Sequence, residues 1–200
     1  MQSTSTVDTA LHGRLKLLLA ALAGVLWAAA LAMLLFAGLD GSRPPLASER
    51  LVFYALVLGA ACLTFIPLQR ALAMPGLAFE GIFGSALLAY TVAFVPSPTG
   101  WMLAPPDAPV YLLLAAGAFW TATAVAALPL SAIGSQLFAQ RARRFDVRRA
   151  HRQAHQVGAL AALTIGLAGL RQLSPLSFAL VGVALILTET VFLSLVEAET

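Results

Sequence analysis

The chain is expected to fold as an all-α bundle, a polytopic transmembrane protein of six spans with N- and C-termini on the inner side. Three observations lead to that expectation. Hydrophobic residues fill 60% of the 200 positions and charged residues only 10%, against roughly 25% charged in a typical soluble domain. The apolar residues come in runs close to the roughly 20 residues that a helix needs to cross the hydrocarbon core. The basic residues, finally, fall unevenly on the two sides that such runs define. A soluble fold of this length could not hide so much apolar surface, whereas a bilayer removes the need to hide it. A single integral membrane domain over residues 1–200 follows.

Residues 1–13 are polar and read as a short mobile tail. The first span, about 15–39, is interrupted only by Lys16 at its edge. A cleaved signal peptide competes there, because Arg14 and Lys16 precede the run and Ala28, Ala30 and Ala32 imitate a cleavage site. The run exceeds the roughly 7–15 residues of a signal core, which favours a retained span. The turn-rich stretch DGSRPPLASER leads to the second span, about 51–68, which ends at the polar Gln69 and Arg70. Pro75 and Gly76 suit the start of the third, about 75–95, since proline is tolerated where its missing N–H has no helical partner to lose.

The loop PSPTGWMLAPPDAP, 96–109, is too proline-rich for regular structure. A fourth span covers about 110–130, with apolar character trailing to Ala139, and Pro129 is expected to kink or stop it. The fifth, about 154–173, is the weakest. Its uninterrupted apolar core, Val157–Leu170, is short, and it reaches membrane length only if His155 and Arg171 snorkel outward. The sixth, about 176–196, is clear apart from Glu189. The lone cysteine, Cys62, sits in an apolar run and reads as packing.

Orientation follows from the positive-inside rule. With the N-terminus inside, Arg14, Lys16, Arg70, Arg141, Arg143, Arg144, Arg148, Arg149 and Arg152 lie inside, and Arg43, Arg50 and Arg171 outside. Tyr54, Tyr90, Trp101 and Tyr111 then fall near the outer boundary, where amphipathic rings prefer to sit. The expected location is the plasma (inner) membrane.

The inner segment 140–156 holds six of the arginines. Its apolar stripe is thin, so it reads as a helical extension. Arg141, Arg143, Arg144, Arg148, Arg149 and Arg152 are expected to contact anionic lipid head groups or a partner subunit. Nucleic acid is not expected as a partner, because no stacking aromatics are interleaved. His151 and His155, four residues apart, share a helical face. They are weak candidates for metal ligation, with His12 as the only other imidazole. The Glu of a His-Glu-x-x-His protease is missing between them, and neighbouring arginines repel a cation. No metal and no cofactor is expected.

Two glutamates fall inside spans. Glu80 lies five residues after Pro75, and Glu189 about seven before the end of the last span, which places both in the inner third of the bilayer. An acidic residue there costs a few kcal/mol to insert and faces protein or water. It either fastens the bundle by pairing with a polar neighbour, such as Thr188, Thr190 or the arginine cluster for Glu189, or it lines an ion or proton path. No nucleophile, Ser/His/Asp grouping or metal-binding motif of useful specificity accompanies them, so catalytic residues are not assigned. The leading expectation is a non-enzymatic accessory or scaffold component of a membrane complex. The alternatives are a small proton- or ion-coupled transporter using Glu80 and Glu189, and a membrane enzyme acting on lipid.

Overall fold

The computed structural model describes residues 3–39, 41–42, 44–138 and 147–198. They form six helices: α1 (Ser3–Phe36), α2 (Ser48–Leu72), α3 (Leu77–Phe94), α4 (Asp107–Phe138), α5 (Val147–Gly169) and α6 (Pro175–Ala198). No strand occurs among the described residues. The architecture is an all-helical bundle in which each helix packs on the next in sequence, α4 most extensively, between α3 and α5.

Four helical segments are long and apolar enough to cross a membrane: Arg14–Phe36, Ser48–Leu72, Leu77–Phe94 and Asp107–Ile133. The apolar part of α6, Pro175–Val191, is shorter. α5 is not among these segments, because its first half carries the arginines and histidines. The large apolar side chains of α1 are mostly exposed (Leu17 at 71%, Leu35 at 71%), as they are on α6. Such a surface is what a hydrocarbon solvent requires.

Several boundaries differ from expectation. Residues 3–13 continue α1 instead of forming a tail, and the helix stops at Phe36 just before Gly38, whose φ of +56° is left-handed. α4 runs through Pro129 to Phe138, so this proline does not stop the helix. α5 takes in part of the expected helical extension, since 147–153 are helical, but it ends at Gly169, short of the expected 173. Arg171, at φ +57°, turns the chain there. Ser174 and Ser177 then exchange hydrogen bonds around the first turn of α6, filling the role of a cap.

The α2–α3 corner shows how polar interruptions are used. Ala73 and Gly76 both take left-handed conformations (φ +52° and +93°), and the side-chain Oε1 of Gln69 accepts a bond from the N–H of Ala78 at 2.9 Å. The last turn of α2 thereby satisfies a donor that the start of α3 leaves without an intrahelical partner.

Small residues let α3, α4 and α5 approach closely. A methyl group on Gly84 of α3 would lie 2.5 Å from the backbone N of Thr121, and one on Gly117 of α4 would lie 2.9 Å from the backbone N of Leu88. Gly158 of α5 lies against Phe119 and Thr123 of α4 in the same way. Beside this seam, Ala124, Ala126 and Ala127 of α4 bury against Ala150 and Ala154 of α5 and against Met74 and Leu77. Ser85, Thr91, Thr121, Thr123 and Thr164 bond to carbonyls one turn back on their own helices, which hides their hydroxyls in apolar surroundings.

At the opposite end from Glu80, Arg50 of α2 lies 4.4 Å from the centre of the Phe94 ring, with Tyr54 and Tyr90 against the same ring. Buried Asp107 at the start of α4 accepts bonds from the backbone N–H groups of Thr99 and Gly100 through Oδ2. The proline-rich loop is tied to the helix it precedes.

Candidate functional site

The site grows out of the first three turns of α5, where three adjacent rows of side chains meet three different helices. Positions 150, 154 and 158 are Ala, Ala and Gly, and this row packs on α4. The next row, His151 and His155, faces Glu80 of α3. The row beyond it, Arg152 and Gln156, faces Glu189 of α6. Residues four apart stack on one helical face, and one-residue steps turn that face by about 100°. One short segment therefore reaches three neighbours at once.

In the α3 contact, His151 Nε2 lies 3.2 Å from Glu80 Oε1 and 3.1 Å from Oε2. His155 Nε2 lies 3.4 Å from Oε1. The Glu80 side chain is 9% exposed, against 23% for His151 and 35% for His155. The other ring nitrogen of His155, Nδ1, is 2.9 Å from the carbonyl oxygen of His151. A carbonyl only accepts, so the network assigns the proton to Nδ1. Phe119 and Trp120 of α4 flank His155, their ring centres 5.9 and 6.3 Å from its own.

In the α6 contact, Arg152 Nη2 donates to Glu189 Oε1 at 3.2 Å and Gln156 Nε2 donates to Oε2 at 2.8 Å. Both carboxylate oxygens are engaged. Thr188 and Thr190 instead bond back to Ala184 and Ile186 of their own helix, so of the partners expected for Glu189 the arginine cluster is the one used. A cavity of about 440 Å³ opens beside this pair, lined mainly by apolar residues of α5 and α6 together with Gln153, Gln156 and Thr190.

Of the residues expected to matter, His151, Arg152 and His155 of α5 thus meet Glu80 of α3 and Glu189 of α6. The two glutamates pair with different rows of α5. The residue that joins the two histidines is Glu80, an acidic residue 71 positions before His151, and not another imidazole. The side chain of His12 lies outside the described residues, as do Arg141, Arg143 and Arg144 and the side chain of Arg148. Arg152 reaches a carboxylate, as the pairing of Glu189 with the arginine cluster leads one to expect, while more than a third of its side chain stays exposed. Gln156 was missed. Its only signal is its place one turn after Arg152.

Fold and site together define a helical membrane-protein bundle in which two carboxylates from separate helices converge on one polar helix segment. Searches against protein-family models, curated proteins and solved structures find no match for the chain.

Proposed function

We propose that the chain is a non-enzymatic membrane component, an accessory or scaffold protein whose bundle is fastened by Glu80 and Glu189 onto α5. The observation that supports this reading is the engagement of both carboxylates. Each is held by two side chains of α5, in separate places, and Glu80 is largely shielded. A charge carried into apolar surroundings and paired in this way holds helices together and gives register. The long uncovered apolar faces of α1 and α6 suit lipid and partner helices alike. In this reading all six helices cross the membrane, with the termini and the arginine-rich end of the bundle inside. The basic asymmetry supports that orientation.

The experiment replaces Glu80 and Glu189 singly with Gln and follows thermal unfolding in detergent alongside proton-coupled flux in vesicles. Fastening predicts that each variant loses on the order of 1 kcal/mol of stability, while no flux is measurable in the wild type. A wild-type flux abolished by either variant, with stability unchanged, would overturn the proposal. That outcome would favour the second reading, a small ion- or proton-coupled carrier, for which the cavity beside Glu189 is the supporting observation.

A further inference from the structure

We propose that Glu80, His151 and His155 bind a divalent first-row transition-metal ion, with Zn²⁺ the best fit, bridging α3 and α5. The proposal rests on the fastening reading, because the ion would act as the clasp between these helices. Three donor atoms of a nitrogen–oxygen set converge from two helices, all within 4.8 Å of one another. Their spacing is informative. Ligands about 2.0–2.1 Å from a tetrahedral ion lie about 3.3 Å apart; Glu80 Oε1 lies 3.2 and 3.4 Å from the two ring nitrogens, and all three donors lie within 4.8 Å of one another. The gathering of donors is present before any ion is placed there.

The surroundings match what such a site requires. With a proton on Nδ1 held by the His151 carbonyl, His155 aims Nε2 toward Glu80. An outer hydrogen bond that sets tautomer and ring orientation is the usual companion of a metal-bound imidazole. The arginine objection is also weakened, since Arg152 has Glu189 as its counter-charge. Two imidazoles and one carboxylate suit Zn²⁺ and its first-row neighbours, whereas Ca²⁺ and Mg²⁺ prefer all-oxygen shells. Partial exposure of His155 leaves room for a fourth ligand from solvent.

The test uses full-length protein purified in detergent, stripped with chelator and dialysed. Zinc content after reloading is measured by mass spectrometry, and Co²⁺ binding by its visible absorption. About one ion per chain is expected, with E80Q, H151A and H155A each weakening Co²⁺ binding at least about 100-fold, and with E189Q, which only frees Arg152 from its counter-charge, weakening it far less. Zn²⁺ should raise the Tm of wild type and not of H155A. Tryptophan fluorescence supplies a reading on the unaltered chain, because Cu²⁺ or Co²⁺ at this site should quench the share of it that comes from Trp120 beside His155. A folded wild type that takes up neither ion, or uptake insensitive to all three ligand substitutions, would overturn the site. If E80Q still destabilised that metal-free protein in chelator, the fastening reading would stand without the metal. Metal uptake with no loss of stability in E80Q would instead keep the site and remove the fastening.

Discussion

The Arg152–Glu189 pair is partly open to solvent on its arginine side, with 36% of that side chain exposed against 11% for the glutamate. Solvent screens such a pair, so its strength should lie nearer the roughly 0.6 kcal/mol typical of polar contacts between membrane helices than the several kcal/mol of a fully buried pair. A double-mutant cycle with R152Q and E189Q should return a coupling of about 0.5–1.5 kcal/mol in thermal unfolding. Additive losses would show that the two residues act independently. At the α2–α3 corner the controlling residue is Gly76, whose φ of +93° an L side chain rarely adopts. No atom lies within 4 Å of where a Cβ would stand, so crowding is absent and the cost of G76A is conformational alone. That substitution should destabilise by about 1–2 kcal/mol, read as a lower Tm. An unchanged Tm would mean that the corner relaxes freely.

At the scale of the helix, α5 depends on its glycine and alanine row to reach α4. Gly158 has no room for a side chain against Phe119 and Thr123, so G158L should force α4 and α5 apart and cost about 1–3 kcal/mol through overpacking. Because the same helix holds both glutamates, the variant should also weaken the α3 and α6 contacts; a disulfide trap between cysteines placed on α3 and α5 would report lower yield. These dependencies explain what could be read from residues alone. The shared face of His151 and His155 followed from their spacing. Azimuth did not follow. Whether Glu80 meets the histidines depends on how closely α3, α4 and α5 approach one another. That approach is set by Gly84, Gly117 and Gly158, residues that an alanine- and glycine-rich composition makes hard to single out. The helical start of α5 was legible as an extension of the span; that Ala150 and Ala154 pack on α4 was not.

Across the whole molecule, the class was legible because it depends on a sum over many residues, the apolar length of the helices. Partners and activity depend on a few side chains whose neighbours come from distant parts of the chain. The proposed orientation has its own test. If the arginine-rich segment anchors the inner face, neutralising Arg143, Arg144, Arg148 and Arg149 together should give a mixed signal from a C-terminal topology reporter. A C-terminus that stays wholly inside would show that the remaining basic residues suffice.

The three-row surface of α5 also bears on the order in which the bundle can be assembled. A helix carrying Arg149, His151, Arg152 and His155 in its first turns is a poor candidate for entering lipid alone. Its counter-charge on α3 has already been synthesised when it emerges, whereas the one on α6 has not. The early helices therefore offer α5 half of its docking surface, and α6 completes it. This hypothesis of staged insertion predicts that α5 followed by a glycosylation reporter inserts poorly as an isolated segment and efficiently behind α1–α4. Equal insertion in both settings would show that the helix enters the bilayer without waiting for its neighbours.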